Sequence, residues 1–302
     1  MRETILVTGV HGLVGQYLLQ LPELSIFNVV ATSRGVCRVN ELLKENIVYA
    51  DLDITNEVRI EELMSYYKPS IVIHLAAAAQ PDWCEENQAA CWEINVKATE
   101  YLVKATEQVN GFFIYVSTDF VFDGSGGPYA EDDVVNPVNF YGKSKLAGED
   151  VVKDISQAWA IVRTVLVYGN TIDGTRSNIL TWAKNALVEN RPIKVVGDQI
   201  RTPTYAGDLA AGILKVAVQK AEGVWHISGK DTVSPFHIAI KVANYLNLDT
   251  HLITKVDASV FTQPAIRPLK TGFNIQKAVN ALGYQPISLE EGMEKVLGKN
   301  IQ

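Results

Sequence analysis

The eight residues Thr8–Gly15, TGVHGLVG, decide how the chain is read. Three glycines, Gly9, Gly12 and Gly15, recur at intervals of three. Before them stands TILVTG (Thr4–Gly9), a β-branched run that predicts a strand; after them an apolar pattern predicts a helix from Gly12 to about Leu21. Glycine permits the tight turn and removes the Cβ atoms that would block a pyrophosphate. The helix start then offers unpaired N–H groups and a favourable dipole to phosphate. The spacing is GxxGxxG rather than GxGxxG, and a plain glycine turn can carry the same letters. The strand before and the helix after favour the dinucleotide site.

Working outward, the same rhythm repeats. Strands are expected at Asn28–Ser33, Ile47–Leu52, Ile71–Ala78, Phe112–Thr118 and Ala160–Gly169. Helices are expected at Glu57–Tyr67 and Tyr141–Ile155, and Cys91, Ile94, Ala98, Leu102 and Ala105 mark the core face of another long helix. Near-continuous apolar strands alternating with helices imply a parallel sheet buried on both faces. Right-handed crossovers make it an α/β, doubly wound, Rossmann-type fold. After Gly169 the pattern loosens into a loop (170–176), a helix at Ser177–Glu189, the strand PIKVVG, a helix at Tyr205–Val218, the strand GVWHISG and a helix at Ser234–Leu246. The expectation is a dinucleotide-binding domain over residues 1–169, with 205–229 returning to it, and a second, smaller α/β substrate domain from 170–204 and 230–302. One connection, Phe122–Asn139, is long, with glycines, prolines and four acids; such loops are functional or mobile.

Bulk properties exclude several functions. The chain has 302 residues, 47% of them apolar and 20% charged, with a net charge of −7. No Lys/Arg run offers the patch that a nucleic-acid phosphate backbone requires. Three cysteines, Cys37, Cys84 and Cys91, form neither a disulfide framework nor a zinc pattern, so no metal is expected. The longest near-apolar run, IVIHLAAAA, is too short for a membrane span, and MRETILVTG carries no basic leader. The expectation is a soluble cytoplasmic protein; a homodimer is left open.

The second strand ends ATSRG. Enzymes of this fold that use NAD place an acid there to hold the ribose 2′-hydroxyl, whereas this chain has Ser33 and Arg34. A guanidinium suits the 2′-phosphate of NADP, although a solvated surface arginine would look the same. Asp51 and Leu52, at the third strand's end, are placed to read the adenine; Asp51 equally suits a turn cap.

In YGKSKLAGE (Tyr141–Glu149), Tyr141 and Lys145 stand four apart, one above the other on a helix. A cation beside a phenol is expected to lower its pKa and suit it to acid–base work. Lys145 also suits the hydroxyls of a nicotinamide ribose. Thr118, ending the FFIYVST strand, would present a hydroxyl to the same crevice, where a carbonyl oxygen gains charge. YxxxK alone is common; with the glycine loop and the ST strand end, in this order, it is specific.

These stretches, together with IVIHLAAAA, STDFVFDG, NPVNFYGKSKLAGE, RTVLVYG, RTPTYAGDLA and RPLKTGF, resemble the extended short-chain dehydrogenases/reductases, and within them the dTDP-4-dehydrorhamnose reductase family. The resemblance runs from residue 5 to about 273. It implies Thr118, Tyr141 and Lys145 as the catalytic set, with Tyr141 protonating a sugar keto oxygen and NADPH supplying hydride. It implies cofactor contacts from Gly9, His11, Gly12, Leu13, Val14, Ser33, Arg34, Asp51, Leu52, Ala76, Ala77, Ala78, Tyr141 and Lys145. On the substrate side it implies Asp119 and Phe120. The implied reaction is NADPH-dependent reduction of a nucleotide-linked 4-keto sugar, dTDP-4-dehydro-L-rhamnose to dTDP-L-rhamnose.

Phe120 follows Asp119 where dehydratases carry glutamate, which argues against dehydration. The reductases often show tyrosine at Phe120, tryptophan at Leu166 and a glycine before PT, so the exact sugar is open. Arg201 and Arg267 have two readings, an arginine fork on the substrate diphosphate or a structural ion pair. His74 reads as a satisfied core histidine, Trp83 and Trp92 as packing residues, with Trp83 also placed to line the sugar site, and Asp132 and Asp133 as a solvated loop face. Two other functions remain: a non-catalytic NADP-binding regulatory subunit resembling the methionine adenosyltransferase β subunit, and a nucleotide-sugar epimerase holding NAD.

Overall fold

The computed structural model describes residues 2–172 and 177–298; most of the loop expected at 170–176 therefore lies outside the described residues. The chain begins with β1 (Thr4–Thr8), α1 (Leu13–Gln20), β2 (Asn28–Ser33), β3 (Ile47–Asp51), α2 (Glu57–Tyr67) and β4 (Ile71–His74). Then come α3 (Pro81–Glu86), α4 (Gln88–Trp92), a π-helical turn (Glu93–Lys97), α5 (Ala98–Gln108), β5 (Phe112–Thr118), α6 (Phe140–Ile155) and β6 (Trp159–Thr164). The remainder is β7 (Val167–Tyr168), α7 (Ile179–Val188), β8 (Ile193–Val196), β9 (Thr204–Tyr205), α8 (Ala206–Gln219), β10 (Gly223–His226), α9 (Pro235–Tyr245), β11 (Ile253–Val256), α10 (Gln276–Leu282) and α11 (Leu289–Leu297).

Seven strands form one parallel sheet in the order β10-β6-β5-β4-β1-β2-β3. The order reverses between β1 and β4, and that switch point opens a crevice at the strands' carboxyl ends. The strands are apolar on both faces because helices cover both. Ile5, Val7, Ile73 and Ile114 pack with Leu18, Leu209 and Ile213 on one face; Leu6, Val72, Phe113 and Tyr115 pack with Leu63 and Leu102 on the other. Each such buried aliphatic side chain contributes about 1.5–3 kcal/mol. Gly223–His226 pairs with β6 at the sheet edge, and α8 packs on the α1 side. A separate core joins Leu180, Leu187, Val195, Ile238, Val242 and Met293, beside the small parallel pair β8–β11.

Several predicted elements differ in detail. β4 stops at His74 instead of running to Ala78, because Leu75–Ala78 turns aside to present its amides to the Thr8 hydroxyl and to Asn95. The strand predicted at Ala160–Gly169 breaks at Leu166, whose φ is +37°, so that Val167–Tyr168 pairs with Thr204–Tyr205. The long helix predicted around Cys91–Ala105 carries one π turn. The 122–139 connection is ordered: Phe122 stacks on Tyr129 at 4.1 Å, and Tyr129 bridges to Phe273.

Candidate functional site

The glycine loop is built to lie against β4. Gly9 has φ +75°, and a Cβ there would meet the Ala76 nitrogen at 2.8 Å. A Cβ at Gly15 would stand 2.5 Å from the Val10 Cα. Gly12 is the N-cap of α1 and has no side chain to close its free N–H groups. Leu13 and Val14 open that helix, so the loop presents backbone donors with nothing over them but the crevice. This is a cradle that added Cβ atoms would fill, and it fits a dinucleotide pyrophosphate.

Beneath the loop runs a polar relay. The Leu75 and Ala76 amides donate to Thr8 Oγ1, both at 3.2 Å. Thr8 Oγ1 meets His74 Nδ1 at 2.7 Å, His74 Nε2 meets Thr99 Oγ1 at 3.3 Å, and Thr99 donates to the Asn95 carbonyl at 2.9 Å. One set of protons satisfies every member: Thr8 gives its proton to Nδ1, and Nε2–H donates to Thr99. Burial, helped by the Lys145 charge, pulls the His74 pKa down to about 3. His74 is thus a neutral structural histidine, as its sequence context indicated.

At the end of β2, the His11 amide donates to Ser33 Oγ at 3.0 Å. Tyr49 holds the following turn, donating to the Ser33 and Gly35 carbonyls, and its ring stacks on His11 at 5.5 Å. Asp51 accepts the Gly35 amide at 2.6 Å, so its carboxylate fixes this turn rather than capping the next one; the Leu52 amide bonds the Ser33 carbonyl. Arg34 is 83% exposed and only loosely paired with Asp53 at 3.9 Å. Arg38, which the sequence reading passed over, lies against the His11 ring.

Across the crevice, Thr118 ends β5 and Tyr141 opens α6. The Thr118 hydroxyl lies within hydrogen-bonding reach of the Tyr141 phenol. Thr118 also donates to Asp119 Oδ1 at 3.1 Å and accepts from the Phe120 amide at 3.3 Å. Helix α6 starts here because Asn139 caps it, taking the Gly142 amide at 2.8 Å, and because Gly142 has no Cβ to strike the Phe120 carbonyl. Phe120 meets the Tyr141 ring edge-on at 5.7 Å.

Tyr141 keeps some exposed surface, yet burial dominates and raises its pKa, with Thr118 pulling the other way. The sequence expectation of a lowered phenol pKa is therefore not met. Lys145 Nζ lies 3.9 Å over the Tyr115 ring, and burial brings the ammonium down to about 7 against the pull of Glu149. The phenol is protonated at neutral pH and so can act as a proton donor.

Asn95 joins the two sides and was invisible in the sequence reading. Its Oδ1 accepts the Ala78 amide at 2.8 Å; its Nδ2 donates to the Ala78 carbonyl at 3.0 Å and to Ser144 Oγ at 2.9 Å. Ser144 in turn donates to the Tyr141 carbonyl at 2.8 Å. The π turn rotates Asn95 into this position, and no letter pattern announces a π turn. Ala77 lies between the two anchored alanines.

Both arginines meet protein partners, the second of their two sequence readings. Arg201 is 4% exposed; it donates to the Ile200, Leu269 and Pro268 carbonyls and sits 3.7 Å from Asp119. Asp119 is buried as well, bonded to Thr271 and Thr118, and burial raises its pKa against the pull of Arg201. Neither group presents its charge to the crevice, contrary to the substrate roles expected for Asp119 and Arg201. Arg267 grips Asp82 with both arms, which holds the Asp82 carboxyl below the usual range. Asn139 donates to the Ile266 carbonyl at 2.6 Å. Residues 265–273 thus form a strap tied to α3, to the cap of α6 and to the end of β5.

The family model described as the RmlD substrate binding domain matches residues 1–301. A dTDP-4-dehydrorhamnose reductase from Aggregatibacter actinomycetemcomitans is 29% identical over 97% of both chains. A methionine adenosyltransferase 2 subunit beta from Xenopus laevis is 30% identical over 86% of this chain and 77% of its own. The crystal structure of a dTDP-4-dehydrorhamnose reductase from Bacillus anthracis, in complex with NADP, superposes with a TM-score of 0.85 at 30% identity, covering 98% of this chain and 99% of that one.

Proposed function

Since the chain belongs to the RmlD substrate binding domain family, we propose that it is an NADPH-dependent reductase of a nucleotide-linked 4-keto sugar, converting dTDP-4-dehydro-L-rhamnose to dTDP-L-rhamnose. The observation that carries this reading is the meeting of Thr118 and a protonated Tyr141 opposite the glycine cradle. A binding subunit needs the cradle but not the acid.

The bound cofactor supplies a hydride to the carbonyl carbon. The protein's part is to bind, orient and protonate. Leu13 and Val14 hold the pyrophosphate through the backbone N–H groups of the first helical turn, and Gly9 and Gly12 leave it room to approach. Ala76, Ala77 and Ala78, fixed by Thr8 and Asn95, line the floor on which the nicotinamide half rests. Leu52, with Asp51 fixing the neighbouring turn, lines the adenine end. Thr118 donates to the keto oxygen as charge builds there. Tyr141 then gives that oxygen its proton, which the phenol carries at neutral pH. Lys145 is placed to bond the nicotinamide ribose, and a partner there restores the charge that burial weakens. Phe120 offers an apolar wall beside Tyr141. Arg201, Asp119 and Arg267 act by holding the strap, and the core around Leu180 and Ile238 forms the sugar-nucleotide lobe.

Among the described residues no helix is long and apolar enough to cross a membrane, and we place the reaction in the cytoplasm with the nucleotide-sugar pool. The test is to mix purified protein with NADPH and enzymatically generated dTDP-4-dehydro-β-L-rhamnose and follow the reduced-nicotinamide absorbance. Stoichiometric oxidation with formation of dTDP-L-rhamnose supports the reading. NADPH binding with no turnover on any nucleotide keto sugar would replace it with the regulatory-subunit reading that the methionine adenosyltransferase relative suggests. Sedimentation of the same sample decides between a monomer and a homodimer.

A further inference from the structure

The β2–β3 edge of the glycine loop carries an arginine that the fold itself does not use. We propose that Arg38, seated on the His11 ring, is the residue that recognises the adenosine 2′-phosphate, with Ser33 and Arg34 as partners and His11 as its positioning residue. This rests on the NADP reading above and assigns the specificity of that site.

Four observations carry it. Arg38 is exposed, and among the described residues no carboxylate lies within ion-pair distance of it, whereas Arg34 already leans on Asp53. The Arg38 backbone amide is 3.2 Å from His11 Nε2, and its Nε and Nη2 are 3.4 and 3.3 Å from Nδ1. Donors face both ring nitrogens, which excludes the doubly protonated ring; the neutral imidazole accepts at one nitrogen, and the contact at the other is not a hydrogen bond. Burial and the Arg38 charge both push the His11 pKa down, while Asp51 pulls the other way. The ring stacks on Tyr49, whose hydroxyl is bonded to the Ser33 and Gly35 carbonyls. Finally, Ser33 Oγ accepts the His11 amide and keeps its own proton to donate.

The result is a guanidinium held at the mouth of the glycine loop with most of its N–H donors free. Ser33, bonded to the His11 amide, and Arg34, which follows it, stand at the end of the same strand. That set is complementary to a phosphate dianion on a ribose at the end of β2. Asp51 and Asp53 are the opposing charges. Asp51 is engaged by the Gly35 amide, and Asp53 by the Thr55 amide and hydroxyl. The sequence drew attention to Arg34 because it directly follows the strand; the fold brings Arg38 back onto the loop.

The experiment measures binding without turnover. Wild type, Arg38→Ala, Arg34→Ala, His11→Ala and His11→Gln are titrated with NADPH and with NADH, following the fluorescence of the bound reduced cofactor. Adenosine 2′,5′-bisphosphate and AMP serve as competitors that carry no nicotinamide. Arg38→Ala is expected to weaken NADPH and the bisphosphate about ten- to a hundredfold and leave NADH within about twofold. Arg34→Ala should do less. His11→Ala should lower the NADPH-to-NADH ratio and His11→Gln restore much of it, a shift that a purely structural histidine would not produce. A wild-type protein with no preference for NADPH would remove the NADP reading and this proposal together. A wild-type preference that survives in Arg38→Ala would overturn the proposal alone.

Discussion

Replacing Asn95 by alanine removes four hydrogen bonds at once: two to Ala78, one to Ser144 and a long one to the Cys91 sulfur. Asn95 is 1% exposed, so water does not substitute for the lost amide. The Ala78 carbonyl retains the Cys84 thiol at 3.5 Å, but the Ala78 N–H is left without a partner. At about 1 kcal/mol per net bond, and more for an orphaned donor, Asn95→Ala should cost about 2–4 kcal/mol. Urea unfolding followed by circular dichroism should show a lower midpoint at unchanged slope. Activity should fall too, because Ser144 bonds the Tyr141 carbonyl and the first turn of α6 loses its brace. A displacement of about 1 Å at Tyr141 corresponds to roughly a hundredfold in turnover. Asn95→Asp sharpens the test: its second oxygen would face the Ala78 carbonyl and is tolerated there only as a protonated acid. The folded state would then hold a proton that the unfolded state has released, so this variant should lose stability as pH rises. Wild-type midpoint and wild-type turnover in Asn95→Ala would refute the idea that this residue couples the cofactor floor to the catalytic helix.

Further expectations concern single groups. Tyr141→Phe should lower turnover by about two to four orders of magnitude while NADPH affinity, read by fluorescence, stays near wild type; normal turnover would remove the phenol as proton donor. His74 and His226 are both held neutral by burial, each with a pKa pulled to about 3. Below the ordinary value of about 6.5 the unfolded chain takes up protons that the folded chain refuses, so each residue should remove up to about 1.4 kcal/mol of stability per pH unit on the way down. Urea midpoints at stepped pH should fall steeply between pH 6 and 4, and His226→Gln should lessen the slope; a flat profile would contradict the burial of both rings. Asp208 is pushed up to about 6 by burial, with the Ile287 amide opposing. Its folded state prefers the proton, so Asp208→Asn should raise the melting temperature at pH 7.5 and leave it unchanged at pH 4; a loss at both would show that the carboxylate is needed.

The parallel sheet was legible because its strands are short, β-branched and apolar on both faces, and each ends at a glycine or polar residue; β2, α2 and β5 fall within their predicted limits. The glycine loop and the Thr118–Tyr141 pairing were legible for a related reason, since local spacing at known strand and helix ends fixes their place. What stayed hidden depends on contacts distant in sequence. Lys145 shares a helix face with Tyr141, but the depth of the site seats its ammonium over Tyr115. Arg201 and Arg267 look like free forks until the strap folds back on them. Asn95 and Arg38 carry no motif, because a π turn and a loop return are tertiary events.

The strap sets an order of events in synthesis. Residues 265–273 supply the carbonyl that Asn139 bonds at the start of α6, the hydroxyl that bonds Asp119, and the strand partner of Tyr129. All three recipients precede the strap by more than a hundred residues of chain. At translation speeds of about 5–20 residues per second, the ribosome emits Thr118, Tyr141 and Lys145 several seconds before the segment that completes their surroundings. A nascent chain halted short of Phe273 would carry Thr118, Tyr141 and Lys145 and still present no finished site. The chemistry is encoded early and is assembled only near the end of translation.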